Sequence, residues 1–341
     1  MKPDFSPALW STHIPSTVYL GAATVIFAAA SSVTRKLVEL GQSHLIDGRN
    51  PISLCNVLFV GNLCALILMV AIFRADWRPA VFKRLKRRQW LNLTITSILT
   101  GAAAPALFFA ALRQTAVANV ILVGRLEPIF ILILSAVILK IRPNGWVVLG
   151  SWVSLGGVAL AVWFGGSSSQ MEMMGLRLGT GELFVALAAL IAALGTVVDK
   201  AQLQSIPLGI VLVYRTALGT LVFFLFALAL YGPEHFADAW TPILWRWMTV
   251  YAAVIVVGGQ LAWLMGLKGA ALSQINLATL VNPILGIFFA YLILGEAPTL
   301  AQYGGGLLLL IGAGLSYRGR EPSPRLNLRE EAEATEGFRG V

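Results

Sequence analysis

Ten stretches of the chain are apolar over roughly the 20 residues needed to cross a bilayer as a helix. They fall at about 17–38, 51–73, 90–112, 116–139, 146–164, 182–201, 207–231, 245–267, 272–294 and 300–317. None shows the alternation that a membrane-spanning barrel strand requires. The pattern predicts an all-α membrane protein with ten transmembrane helices. Cys55 and Cys64 both lie in the second stretch, where they read as small apolar residues with no disulfide or metal spacing. The three histidines form no ligand pattern, and no metal or other cofactor is expected.

The same positions repeat along the chain. At an offset of 155 residues, Leu112 meets Leu267, Arg113 meets Lys268, Pro128 meets Pro283, Pro143 meets Pro298, Gly150 meets Gly305 and Gly157 meets Gly312. Trp90 meets Trp245 at the same offset. The first stretch matches the sixth at an offset of 164, pairing Ala28 with Ala192, Val33 with Val197 and Lys36 with Lys200. Chance resemblance between greasy helices accounts for shared leucines, but poorly for an ungapped row of prolines and glycines. Five helices is an odd number, so the second copy must sit inverted with respect to the first. The expected organisation is an N-terminal cytoplasmic segment (1–16), a five-helix repeat (17–164), a linker (165–181), a second repeat (182–317) and a disordered cytoplasmic tail (318–341).

Composition agrees with a lipid setting. Only 12% of residues are charged and 57% are hydrophobic, with a mean hydropathy of +0.79, against about 25% charged in an ordinary soluble domain. The formal charge of +9 is concentrated between the second and third stretches, in Arg74, Arg78, Lys83, Arg84, Lys86, Arg87 and Arg88. Short Lys/Arg-rich loops stay in the cytoplasm. This places both termini, Lys140, Arg142 and the Arg318/Arg320 exit on the cytoplasmic side, and the acidic Gly232–Asp238 loop outside. The basic cluster is a topology anchor against the lipid bilayer, and no nucleic-acid recognition fold accompanies it.

Two motifs carry a family resemblance. "Ala-Leu-Arg-Gln-Thr…Leu-Glu-Pro-Ile-Phe" over 111–130 and "Asn-Pro-Ile…Leu-Ile-Leu-Gly-Glu" over 282–296 resemble the two copies of the EamA domain of the drug/metabolite transporter superfamily. The likeness extends over about residues 17–317. It implies a ten-helix inner-membrane carrier, commonly an exporter of amino acids or related metabolites. The Leu-Gly-Glu ending occurs only in the second half, where the first has Leu139-Lys140-Ile141.

The chemistry to be explained centres on Arg125-Leu-Glu127-Pro128. A proline within a helix leaves the carbonyl four residues earlier without its partner, so Pro128 and Pro283 mark two helix breaks near mid-membrane. Such breaks favour a shared central cavity, with a packing kink as the plainer alternative. Glu127 and its counterpart Asn282 flank the breaks. An ionisable group at that depth costs about 2.5–3.5 kcal/mol even on a lenient scale, which makes Glu127 the candidate coupling residue, with protons as the candidate ion. Arg125 needs a carboxylate from another helix or from a ligand, since residues two apart on a helix point to different sides. Asp199 and Glu182 are the partners available in sequence, and a substrate carboxylate is the functional one. Tyr251, Gln260 and Trp263 of the eighth stretch are the remaining candidate substrate contacts. No phosphate-cradling loop, zinc spacing or nucleophile elbow is present. The expected function is secondary transport of a small-molecule metabolite by alternating access, with a membrane-embedded enzyme or lipid-handling protein using Glu127 as acid/base as the alternative.

Overall fold

A computed structural model describes residues 14–46, 48–74, 76–77, 85–112, 114, 123–141, 143–165, 179–202 and 206–319. The N-terminal 13 residues, the basic 78–84 segment, residues 115–122 at the start of the fourth apolar stretch, most of the linker and the tail from 320 lie outside the described residues.

The described residues are helical, with no strand beyond an isolated bridge between Ile46 and Arg49. Helix α1 is Ser16–Gln42, α2 is Leu54–Ile72, and α3 runs through Arg87–Ile98, a π-helical turn Leu99–Ala103, and Ala104–Leu112. Helices α4 (Glu127–Ile138), α5 (Gly145–Gly165), α6 (Thr180–Gln202) and α7 (Leu208–Tyr231) follow. Helix α8 comprises Pro242–Tyr251, a π-helical turn Ala252–Gly258, and Gly259–Gly269. Helix α9 is Leu272–Phe289 continued by a π-helical turn Ala290–Leu294, and α10 is Leu300–Arg318. Six of these helices, α1, α3, α6, α7, α8 and α9, are long and apolar enough to cross a membrane, and α2, α4 and α5 contain shorter apolar helices.

Helix ends follow local chemistry. Ser53 Oγ accepts from Asn56 N–H at 3.3 Å to start α2. Thr299 and Gln302 cap α10 reciprocally, at 3.2 and 2.9 Å, satisfying donors that the helix leaves open. Helix α9 stops at Gly295, with φ +71°, and the chain leaves α4 through Lys140, with φ +56°. These two residues are 155 apart, so one left-handed turn is made by glycine in the second half and by lysine in the first.

The packing crosses between the halves. Helix α1 lies against α8 and α9, and α6 lies against α3 and α4. Helix α2 contacts α7 and α8, α3 contacts α7, and α5 packs along α10. Small residues allow these approaches. A Cβ on Gly101 in the α3 π turn would sit 3.1 Å from the Cα of Gly219 in α7. One on Gly157 would sit 2.7 Å from the carbonyl oxygen of Gly305, and Gly150 meets Gly312 just as closely. The main core, with Ile52, Met69, Leu93, Ile210, Leu212, Leu244, Met248, Leu264 and Ile275 almost fully buried, is shared by α2, α3, α7, α8 and α9. Abundant exposed Leu, Ile, Val and Trp cover the outside, as expected where lipid is the solvent.

Two expectations change at the prolines. Pro128 occupies the first turn of α4, directly after a turn at Arg125 and Leu126. A missing N–H costs nothing there, because first-turn donors have no intrahelical partner. The interruption thus falls at Arg125–Leu126, not four residues before a mid-helix proline. Pro283 does lie inside α9, which continues through it to Phe289. The π turns of α3 and α8 have no counterpart in the hydrophobic pattern.

Candidate functional site

The chain reaches the candidate centre through Val123 and Gly124, whose Cβ position faces Phe108 of α3 and Val185 of α6. Arg125 and Leu126 form the turn, with Leu126 N–H donating to Val123 O at 3.0 Å. Glu127 opens α4, followed by the buried Pro128. Both Arg125 and Glu127 are partly buried. Their opposite charges act on each other electrostatically, but no ion pair or hydrogen bond of either is found among the described residues. Asn282 is partly buried on α9 beside Pro283, and α9 packs against α4.

The α8 candidates form a second group, on the side facing α1. Tyr251 Oη is 3.1 Å from Thr34 Oγ1 of α1. Trp263 meets Phe27 of α1 edge to face, with ring centroids 6.3 Å apart. Between them in the chain is Gln260, whose Oε1 is buried with no hydrogen-bond partner among the described residues, an arrangement that costs free energy until a donor reaches it. The π turn separates Tyr251 from Gln260, and π-bulges frequently mark functional sites in helices. Helix α1 packs against both α8 and α9.

Asp199 is committed elsewhere. Its carboxylate pairs with the Arg215 guanidinium of α7; the Asp199 side chain is buried and that of Arg215 partly so. Sequence spacing offered Asp199 to Arg125, but the long Arg215 side chain reaches it from α7 instead. Helices α3, α6 and α7 also carry buried hydroxyls, at Thr96, Ser97, Thr196, Thr216 and Thr220. Thr96, Ser97 and Thr220 donate to carbonyls of their own helices, while Thr216 Oγ1 donates to Met69 Sδ at 3.4 Å. Next along α6, Lys200 Nζ donates to Leu267 O at 3.1 Å and to Ala270 O, so this lysine caps the last turn of α8. Gln274 and Asn276 also have structural roles: Gln274 Oε1 accepts from Ala271 N–H at 3.0 Å, and the buried Asn276 donates to Ser151 Oγ of α5 at 2.9 Å.

Outside the apolar spans, Asp76 Oδ2 accepts from Gly209 N–H at 3.1 Å, at the start of α7. Burial pushes its carboxyl above the ordinary carboxylate range, opposed by that N–H. At the opposite end of the bundle, Arg35 holds Glu296 at 2.6 Å and Arg49 holds Asp238 at 3.0 Å. A cavity of about 500 Å³ opens there between α1, α8 and α9, lined by Val33, Lys36, Leu37, Leu40, Trp247 and Ile293. Among the described residues, no group of three or more His, Cys, Asp or Glu could hold a metal ion.

Comparison with known proteins agrees with the helical, lipid-facing architecture. An uncharacterized transporter of Synechocystis sp. is 52% identical over 344 residues, covering 99% of this chain and 98% of that protein. A second uncharacterized transporter, from Archaeoglobus fulgidus, is 23% identical over 305 residues, covering 88% and 96%. A solved crystal structure superposes with a TM-score of 0.67 at 17% identity, over 88% of this chain and 96% of that one, a likeness of fold. Residues 15–163 and 179–318 match the EamA-like transporter family, and with a multi-pass arrangement of apolar helices the chain belongs to that family of membrane transporters.

Proposed function

We propose that the chain is a secondary transporter of ten transmembrane helices in two inverted five-helix halves, exposing one central site alternately to the two faces of the cell inner membrane. The cargo is a small metabolite, an amino acid or a related compound, and the direction is export. Both termini face the cytoplasm.

The observation that carries this reading is the exchange of contacts between the halves. Gly150 packs on Gly312, and Gly157 packs on Gly305; shifting by 155 turns the first contact into the second. Likewise α1 against α8 and α9 corresponds to α6 against α3 and α4. Even the π turns coincide, because Leu99–Ala103 shifted by 155 falls within Ala252–Gly258. A pseudo-two-fold of this kind lets two nearly isoenergetic packings interconvert, which is the architecture of alternating access.

In this reading Arg125 takes a substrate carboxylate with its planar fork, and Glu127 carries the coupling proton. Asn282 supplies the matching amide from α9, and the Arg125–Leu126 break leaves the backbone irregular beside the site. Gln260, Trp263 and Tyr251 bind the remainder of the solute. The test is flux of candidate amino acids and related solutes in proteoliposomes under an imposed pH gradient. Glu127→Gln is expected to abolish the pH dependence of flux. Unchanged pH-driven flux in that variant would remove Glu127 from coupling, and no gradient-dependent flux of any solute would count against the carrier reading.

A further inference from the structure

At the end of the bundle where α6 and α8 finish and α7 begins, two neighbouring residues tie α6 to two other helices. Asp199 pairs with Arg215 of α7, and Lys200 binds the carbonyls of Leu267 and Ala270 in α8. The offset of 164 that aligns α1 with α6 maps these residues onto Arg35 and Lys36, at the other end of the bundle. Arg35 pairs with Glu296 beyond α9 and with Glu39 of its own helix, and among the described residues Lys36 pairs only with Glu39, at 3.5 Å.

The two fastenings differ in strength. Asp199 and Arg215 are 4% and 17% exposed, whereas Arg35 and Glu296 are 60% and 47% exposed. A solvent-facing pair contributes little, while removing one member of a buried pair leaves an uncompensated charge in a medium that cannot solvate it. A cavity of about 500 Å³ adjoins Lys36 at that other end.

We propose that Asp199, Arg215 and Lys200 form a latch that closes the transport path at the α6–α7–α8 end, with Arg35–Glu296 as its weaker counterpart at the opposite end. The conformation described is then the one sealed at the latch and opening beside Lys36. This rests on the two-halved carrier reading, and it assigns these residues a positioning role, distinct from contact with the solute.

The test uses the full chain in membrane vesicles, with Cys55→Ser and Cys64→Ser removing the native thiols and Thr196→Cys as reporter. Thr196 is buried one turn before Asp199 on α6. A membrane-impermeant maleimide is added to either face separately. Asp199→Asn is expected to quicken reporter labelling roughly tenfold, the scale of a modest population shift, and the charge exchange Asp199→Arg with Arg215→Asp to restore protection. Because a lone buried arginine can impair folding, Asp199→Asn with Arg215→Gln is the second variant. It leaves no orphan charge and no ion pair, and is expected to label as fast as Asp199→Asn. Unchanged labelling in both, or a protected reporter in the double amide variant, would overturn the latch. The face from which labelling quickens reports orientation, and the readout needs no flux, so a wrong topology or a failed transport reading gives a different result from a missing latch.

Discussion

Gly157 of α5 lies so close to the backbone of α10 that a Cβ added to it would stand 2.7 Å from the carbonyl oxygen of Gly305. Its neighbour Gly156 has nothing within 4 Å of the same position. Gly157→Ala is therefore expected to force the helices apart and cost about 1–3 kcal/mol, as overpacking does, whereas Gly156→Ala should be neutral or slightly stabilising. Thermal unfolding of the two purified variants in detergent checks the contrast. Equal midpoints would mean that the crossing is looser than described.

Lys140 and Gly295 leave α4 and α9 by the same left-handed turn, with φ of +56° and +71°. A side chain in that region is strained by about 1–2 kcal/mol, offset in part by the greater chain entropy that glycine loses on folding. Lys140→Gly should raise stability by up to about 1 kcal/mol, and Gly295→Lys should lower it by a similar amount. No atom lies within 4 Å of a Cβ on Gly295, so any loss there is backbone strain and not a clash.

Asp76 gives a pH signature. Burial raises its carboxyl in the folded chain, so folding favours the protonated form. The stability it contributes is full below the unfolded-state value and is lost as pH rises through the folded one. Asp76→Asn keeps an acceptor for Gly209 N–H without titrating. The midpoint of the unsubstituted chain, measured relative to that variant, should decline as pH rises above the ordinary carboxylate range. A constant difference would show that the carboxyl of Asp76 is not raised in the folded protein.

Arg125 should discriminate by cargo. With Asp199 held by Arg215, Arg125→Leu is expected to lower flux of carboxylate-bearing solutes at least about tenfold, the scale of one lost charge-assisted contact, while neutral solutes retain theirs. Equal loss of both would make Arg125 a structural residue.

Lipid solvent acts on every side chain locally, so the placement of helices was legible in the chain. The apolar runs mark where helices lie, and the caps at Ser53 and Thr299 mark where two of them start. The offset of 155 was also a property of the sequence, visible in its prolines and glycines before any contact was known. What the sequence could not decide was partnership. Asp199 and Arg215 are 16 residues apart on different helices, both of which pack against α3, and it is that tertiary arrangement that puts Arg215, not Arg125, within reach of Asp199. The π turn of α3 likewise lies at a tertiary contact, Gly101 against Gly219 of α7, that no local pattern announces. Hydrophobic pattern is a one-dimensional consequence of the solvent, whereas ion pairing, helix breaks and cavities depend on which helices meet, and tertiary packing decides that.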